Sequence, residues 1–520
     1  MSTNISHNTP IIFGVGQVME LNGGENPRYS SAYDLAAMAA QRAIDNAAST
    51  QPIAPHIDAL TCIRLFEDST RKVAIVNNPL GASNNVPGSI AKRLGITPSA
   101  LIYAAVGGQT PQRLVNEFCE RIYRGENRCA LITGAEAIAT IKSAVRGGID
   151  LDWNEHIDAQ FEDRWLKNNA DNMVSDYEMR HGLFLPVQAY PLFENYYRHR
   201  LGKSLAEHRT FMGELFAPFS AVAENNPYAQ FQQRHSAEFL ATPSDENYLL
   251  SEPYTKWFVA QDAVNQGAAV LVGSVGLAKE LGIPEDKWVY LHGYADADDF
   301  NVVERPDLSV SYAQKLVCQH TLDSAARQIE DIDFLDIYSC FPIAVTSACE
   351  ALGIEPHSRA LTLTGGLPYF GGPGNNYSMH AIAETVERVR GQRDSSGMVI
   401  ANGGYLSKHS AGIYSTTAPQ QWQPITSDPV KQTLSRSTRI AVEEIGAGEV
   451  EIETYVAAYQ RGVPAIGYVF ARQGQTQARI IAKARSDDAA TLEQLFNSEP
   501  IGRPISVAHE NGENLFTFAA

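Results

Sequence analysis

The chain repeats one unit of alternating strands and helices, and this repeat constrains the fold more than any other feature of its 520 residues. In the first copy, the strand ALIYAAV leads to a glycine-rich turn at 107–108, a helix that begins near Thr110 and the strand CALITG. In the second copy, the strand ALTLTGG leads to a glycine-rich turn at 371–376, another helix and the strand GMVIANGG. Each copy is too long for a solenoid repeat. We therefore predict a layered α/β core of two similar halves, with ligands at the helix N-termini where the halves meet.

The first half is predicted in most detail. The strand PIIFGVGQ at 10–17 precedes a helix over 31–47 with apolar residues near helical spacing. In the central helix, Thr110 is predicted as the N-cap and Pro111 as the first helical residue. Four apolar residues between 114 and 122 recur at helical spacing, and the helix is expected to end near Gly125.

Changes in composition divide the chain into four parts. Residues 1–136 and 255–284 are expected to form the first half of the core, and residues 285–418 the second half. Residues 137–254 are polar and rich in aromatic side chains, which predicts an inserted loop domain between the halves. Segments rich in β-branched residues, separated by turn residues, predict a small, barrel-like β domain at 428–520.

Composition excludes several classes of function. A formal charge of −18 would repel the phosphates of nucleic acid, and no stretch approaches the roughly 20 apolar residues of a membrane span. The beginning of the sequence carries no export signal, so a cytoplasmic location is expected. Six cysteines without CxxC spacing predict neither a disulfide framework nor a zinc site, and no metal is expected.

An anionic ligand would need a local basic patch. The sequence offers one cluster that could form such a patch or simply be a solvated helix face: Arg198, His199, Arg200, Lys203, His208 and Arg209.

Two segments in this duplicated frame, QDAVNQGAAVLVGSVGLAKELG and GGLPYFGGPG, resemble the thiolase superfamily. The resemblance covers roughly residues 8–418. It implies a five-layer αβαβα core with an inserted loop domain over coenzyme A. Within the superfamily the chain most resembles the thiolase-like protein type 1 group, which carries an extra C-terminal β domain and lacks the usual catalytic residues.

The resemblance also shows which chemical groups are absent. Thiolases use a cysteine nucleophile at the N-terminus of the first central helix, and here that position falls on Gly108. The histidine of the Gly-His-Pro motif falls on Gly372, and the cysteine of the last motif on Ala401. Because glycine cannot be acylated, classical thiolysis is not expected.

Other residues remain candidates for a rebuilt site. Tyr338-Ser339-Cys340-Phe341 resembles the His-Asp-Cys-Phe motif of sterol-carrier-protein-type thiolases, which implies acid–base work for Cys340. Cys340 could equally be a packed core thiol, and the histidines could be structural. The candidate catalytic residues are Cys340, His409, His380 and Tyr338. The candidate substrate-binding residues in the glycine-rich turns are Gly107, Gly108, Gln109, Gly371, Gly372, Gly403 and Gly404.

Three functions fit this pattern. The first is an acyltransferase-like protein that handles acyl-CoA or a related lipid thioester, with coenzyme A as substrate or ligand and no covalently bound cofactor. The second is a non-catalytic carrier or partner subunit that binds coenzyme A or lipid. A decarboxylating or condensing relative is disfavoured, because its nucleophilic cysteine would also fall at Gly108. The extra domain could cover the contact by which thiolases assemble, so a monomer or weak homodimer is expected.

Overall fold

The computed structural model describes residues 5–22, 28–72, 74–165, 173–485 and 488–518. The first half of the core contains a six-stranded sheet of order β1-β8-β4-β2-β3-β5. Its strands are β1 (Pro10–Met19), β2 (Ala59–Cys62), β3 (Ala100–Tyr103), β4 (Cys129–Ala137), β5 (Glu162–Asp163) and β8 (Asn265–Ser274). Strands β2, β3, β4 and β5 run parallel to one another, and β8 is antiparallel to both of its neighbours.

The second half contains a four-stranded sheet of order β10-β11-β12-β9. Its strands are β9 (Tyr290–Asp298), β10 (Phe334–Ile337), β11 (Ser396–Gly403) and β12 (Lys408–Ser415). Strand β10 is parallel to β11, whereas β12 is antiparallel to both β11 and β9.

Two central helices separate the sheets. Helices α3 (Thr110–Tyr123) and α12 (Tyr377–Gly391) contact each other and strands of both sheets. Their buried side chains share one apolar cluster with both sheets. On the outer faces lie α1 (Ala32–Asn46), α2 (Val86–Leu94), α9 (Val275–Glu280), α10 (Tyr312–Ser324) and α11 (Pro342–Leu352). The predicted five-layer αβαβα core is thereby confirmed.

Helices form most of the regular secondary structure between β4 and β8. These helices are α4 (Ile138–Gly147), α5 (Asp176–Arg180), α6 (Pro186–Arg200), α7 (Leu205–Glu224) and α8 (Ala237–Ala241). Two short strands follow, β6 (Leu249–Ser251) and β7 (Tyr254–Thr255). Strand β6 pairs with the C-terminal domain, so the inserted segment bridges the core and the extra domain.

The C-terminal domain is a five-stranded barrel, as predicted from its β-branched segments. Its elements are α13 (Asp428–Ser435), β13 (Gly448–Gln460), β14 (Val463–Gln473), β15 (Arg479–Ala484), α14 (Ala489–Asn497), β16 (Pro504–Glu510) and β17 (Glu513–Phe518). Strand β13 pairs with β14 on one side and β16 on the other, and β15 and β17 complete the ring. The closed ring leaves none of the five strands as a free edge of the barrel.

Two local predictions were wrong. The segment ALTLTGG at 360–366 is not a strand, because the Asp336 carboxylate accepts the backbone N–H groups of Leu363 and Thr364 in place of a neighbouring strand. Thr110 is the first residue of α3 rather than its cap, since Gln109 takes the capping position without a side-chain hydrogen bond. The four domain boundaries stay predictions. Among the described residues, none of the helices has the length and apolar character required to cross a bilayer.

Candidate functional site

A cavity of about 410 Å³ lies where the two halves meet the inserted segment. Its wall is mostly apolar, with Val106, Phe341 and Leu367 from the core and Phe184 and Val187 from the insertion. The polar side chains that line it are Ser69, Thr70, Tyr190, Asp262, Tyr338, Cys340, Asn375, Asn402 and Tyr405. Six glycines complete the wall: Gly107, Gly108, Gly372, Gly374, Gly403 and Gly404. An apolar cavity with a few converging polar groups is the usual form of a small-molecule site.

The two glycine-rich turns meet at this cavity. The Gly107 N–H donates to the Asn375 side chain over 3.0 Å, and the Ser378 hydroxyl donates to the Gly108 carbonyl over 2.6 Å. Gly107 has φ +140, a backbone conformation that side chains other than hydrogen rarely allow. The start of α3 is therefore fixed by the turn of the opposite half.

Tyr338 occupies the space in front of Gly108. A Cβ atom added at Gly108 would lie 2.5 Å from the Tyr338 hydroxyl oxygen and 2.5 Å from the carbonyl oxygen of Asn402. Real Cβ atoms do not approach other atoms so closely. A side chain at position 108 would therefore require both Tyr338 and the Asn402 backbone to shift.

Cys340 and Tyr338 both carry their protons at neutral pH. Burial raises the pKa of the Cys340 thiol to about 12 and holds the pKa of the Tyr338 hydroxyl well above its usual value. Because a thiolate is the nucleophilic form of cysteine, Cys340 is poorly suited to attack a carbonyl. Both groups can instead donate hydrogen bonds.

Tyr190 and Asn402 form a hydrogen-bonded network beside Cys340 and were missed in the sequence. The Asn402 amide lies 3.8 Å from the Cys340 sulfur and donates to the Tyr190 hydroxyl over 3.0 Å. The Tyr190 hydroxyl in turn donates to the Gly404 carbonyl, and its ring stacks on Phe341 with centroids 4.2 Å apart. Asn402 could have been found beside Ala401, whereas no local signal distinguishes Tyr190 from other aromatic residues of the insertion.

Two predicted imidazoles do not line the cavity. The His380 Nδ1 atom lies 2.7 Å from the Gln17 side-chain oxygen, and burial lowers the His380 pKa to about 3. His409 contacts the Ser311 hydroxyl over 2.9 Å, and burial lowers its pKa to about 4. Of the four candidate catalytic residues, Cys340 and Tyr338 line the cavity, whereas other partners engage the rings of His380 and His409 in the interior.

Two predicted binding residues also stand behind the cavity wall. The Gln109 amide fills the space between Gly107 and Gly403, where it would clash with a Cβ on either glycine. Gly371 packs against the Gln266 side chain and is not a lining residue. Of the seven predicted binding residues, Gly107, Gly108, Gly372, Gly403 and Gly404 do line the cavity.

The cavity wall carries little charge. No arginine, lysine or histidine of the described residues lines it, and its carboxylate, Asp262, pairs with Lys142 at 2.7 Å. The basic cluster at 198–209 does not form one exposed patch, because Arg198 and His208 are buried and paired with Glu499 and Glu194. Within the described ranges, no three residues of metal-ligating type come together.

The whole fold is similar to that of a solved protein. The chain is 35% identical to a monomeric SCP2-thiolase like protein type 1 from Mycobacterium smegmatis, across 99% of this chain and 100% of that one, with a TM-score of 0.83. Residues 429–512 match the family described as the thiolase-like protein type 1 additional C-terminal domain. No curated protein shows a significant sequence match to the chain.

More distant thiolase structures share the fold of the core. An acetyl-CoA acetyltransferase from Syntrophomonas wolfei is 16% identical over 79% of this chain and 100% of that one, with a TM-score of 0.55. The dimeric peroxisomal thiolase of Saccharomyces cerevisiae is 14% identical over 80% of this chain and 99% of that one, with a TM-score of 0.56. At this identity the likeness concerns fold alone.

Proposed function

The chain belongs to the SCP2-thiolase-like protein type 1 family, and from this membership we propose that it binds the acyl end of an acyl-CoA in the cavity and acts on it without an acyl-enzyme. The observation that carries the proposal is the position of two protonated donors, Tyr338 and Cys340, in an apolar cavity beside the start of α3. The apolar wall suits an uncharged acyl chain, while the charged end of coenzyme A would remain outside it.

The donors suit a thioester carbonyl. A hydroxyl or thiol that donates to the carbonyl oxygen draws electron density away from the carbonyl carbon, and a preorganised donor does this without reorganising solvent. The acyl group would then pass directly to an acceptor, because Gly108 offers no nucleophile. The bond from the acyl carbon to the acceptor forms as the thioester C–S bond breaks, and the acceptor's proton passes to the departing thiolate of coenzyme A. In this scheme Tyr338 and Cys340 act as hydrogen-bond donors or acids.

A non-catalytic carrier is the second candidate, and one observation favours it. The carboxylate that lines the cavity, Asp262, is paired with Lys142, and no histidine of the described residues lines the wall. Such a cavity holds a thioester but lacks a free base to activate an acceptor. Turnover with an acyl acceptor distinguishes the two functions, since both require acyl binding.

Acyl binding is tested by filling the cavity from one of its glycines. Gly372 lines the cavity, and a Cβ there would meet its nearest neighbour at 3.3 Å, so Gly372→Leu places its side chain toward the acyl site. Gly391→Leu is the matched control, because Gly391 is exposed at the end of α12 with no atom near its Cβ position.

Calorimetric titration with decanoyl-CoA should show binding to the native protein and to Gly391→Leu, and an affinity at least about tenfold lower for Gly372→Leu, which corresponds to about 1.4 kcal/mol. Equal affinity of all three proteins, or equal binding of free coenzyme A, would contradict acyl binding in this cavity.

A further inference from the structure

The wall of the cavity includes a short strained segment, residues 403–407, which we call the site loop. Gly403, Gly404 and Tyr405 line the cavity. Leu406 has φ +51, a left-handed conformation that costs about 1–2 kcal/mol for a residue with a side chain. Such strain persists only where surrounding contacts determine the backbone, so the contacts that hold the site loop are part of how the cavity is built.

Arg305 supplies two of these contacts. Its guanidinium donates to the Leu406 carbonyl over 2.9 Å and to the Tyr405 carbonyl over 3.0 Å. Arg305 is only 3% exposed, and its Nε donates to the carbonyl of Phe300. A buried arginine that satisfies two loop carbonyls fixes their orientation, because leaving them unpaired in the interior would be costly.

The segment that carries Arg305 is itself held by the C-terminal barrel. Arg479, at the start of β15, is fully buried and donates to the carbonyls of Val303 over 2.9 Å and Arg305 over 2.7 Å. Two further bonds of 2.7 Å to the Glu453 carboxylate fix the guanidinium within the barrel. From the inserted segment, Glu178 accepts the N–H of Val303.

We propose that Arg479 of the C-terminal barrel is a positioning residue for the cavity, acting through residues 302–305 and Arg305 to hold the site loop in its strained conformation. The barrel thereby helps to shape the cavity, although Arg479 itself does not line it. This role gives the extra domain a function within the chain, and it stands on the contacts alone, whether or not the cavity binds acyl-CoA.

Cys340 offers a local readout of cavity closure. All six cysteines are free, and Cys340 is 9% exposed on the cavity wall while the other five are at most 1% exposed. Tyr190 links it to the site loop, because the Tyr190 hydroxyl accepts the Leu406 N–H and donates to the Gly404 carbonyl. A loosened site loop should therefore expose Cys340 to alkylation before any other cysteine.

The test measures iodoacetamide labelling of each cysteine by peptide mass spectrometry, with amide hydrogen exchange of residues 403–407, in the full-length chain. Arg479→Met should raise the labelling rate of Cys340 by about fivefold or more and speed exchange in the site loop. A fivefold change corresponds to a free energy of local opening that is about 1 kcal/mol lower. The other five cysteines should change less than about twofold.

Arg472→Met is the matched control. Arg472 also bonds to Glu453 at 2.7 Å, but it donates to the Gln477 carbonyl within the barrel rather than to residues 302–305. This variant should label Cys340 at the native rate. Arg305→Met should reproduce the effect of Arg479→Met, and the double variant should add little to either, because both act through one segment.

Unchanged labelling and exchange in a folded Arg479→Met protein would overturn the proposal. Equal acceleration at all six cysteines, or the same effect from Arg472→Met, would also overturn it, since either outcome means general loosening of the fold. If Arg479→Met does not fold, Arg479→Lys is judged by the same criteria, because lysine keeps the charge but cannot reproduce the arginine fork.

Discussion

The hydroxyl oxygen of Tyr338 lies 2.5 Å from the position that a Cβ atom on Gly108 would take. The Tyr338 side chain therefore fills the space that a side chain at position 108 would take. Gly108 and Tyr338 thus belong to one packing arrangement. A side chain at 108 would meet both the Tyr338 hydroxyl and the Asn402 carbonyl.

Gly108→Cys should lower the free energy of unfolding by about 1–3 kcal/mol, because its Cβ overlaps Tyr338 and the Asn402 carbonyl. The double variant with Tyr338→Ala should be less destabilised than the sum of the two single variants by about 1 kcal/mol. Tyr338→Ala should restore only part of the stability, because the Asn402 carbonyl belongs to the backbone and remains in place. Chemical denaturation checks this, with Gly391→Cys as the control, and strictly additive effects would contradict the packing argument.

The native protein should not catalyse thiolysis of acetoacetyl-CoA. In the proposed function Gly108 offers no nucleophile, so the acyl-enzyme route is closed, which costs several orders of magnitude in rate. Assays of acetyl-CoA release and intact-mass spectrometry check this together. Robust turnover, or an acyl adduct on the protein, would contradict the absence of a nucleophile.

Affinity should rise with acyl length. Each methylene buried in the apolar cavity contributes about 0.8 kcal/mol, or about fourfold in Kd, until the cavity is full. Calorimetry with acetyl-, butyryl-, hexanoyl- and decanoyl-CoA measures the series. A flat series would show that the acyl chain remains in solvent, while free coenzyme A sets the baseline.

Stability should depend on pH through His380. Its folded pKa of about 3 lies below the ordinary value of 6.5, so above pH 6.5 the ring is neutral in both states. As pH falls from 6.5 toward 3, the unfolded state binds a proton that the folded state does not, and stability is lost. In His380→Gln the free energy of unfolding should fall less steeply with decreasing pH, by up to about 1.4 kcal/mol per pH unit. Parallel curves for both proteins would contradict a buried neutral ring.

The chain should be monomeric at micromolar concentration. Strand β5 pairs with Ile102 and Tyr103 of β3 and forms the edge of the first sheet, and it is only two residues long. So short an edge strand offers little backbone for pairing between copies. Light scattering that gives the mass of one chain supports this, and a stable dimer or tetramer would contradict it.

The core was predictable because its signals are local. The strands β1, β4 and β11 and the helix α3 follow from apolar runs and glycine punctuation, and the barrel strands from β-branched segments. The segment at 360–366 has the sequence pattern of a strand, but its backbone N–H groups donate to the Asp336 carboxylate instead of to a neighbouring strand. Asp336 lies more than twenty positions away in the sequence, so the local pattern of apolar residues cannot reveal its effect.

The site was only partly predictable. The glycine-rich turns, Tyr338 and Cys340 follow two halves of a repeat, so the sequence indicates where they converge. His380 and His409 had the right residue type but face interior partners, which spacing cannot distinguish. Tyr190 and Arg305 reach the site through tertiary contacts, and neither carries a local sequence signal.

The most direct test of thioester binding by Tyr338 and Cys340 is infrared difference spectroscopy of decanoyl-CoA labelled with carbon-13 at the carbonyl. In complex with the native protein, the carbonyl band should move to lower wavenumber than in water, because donors in an apolar cavity polarise it. The shift should shrink in Tyr338→Phe and in Cys340→Ala and persist in Tyr414→Phe, whose hydroxyl bonds to Gln112 outside the cavity. A band of the bound carbonyl at the same wavenumber as in solution would contradict polarisation by these two residues. A shift in Tyr338→Phe and in Cys340→Ala as large as in the native protein would also contradict it.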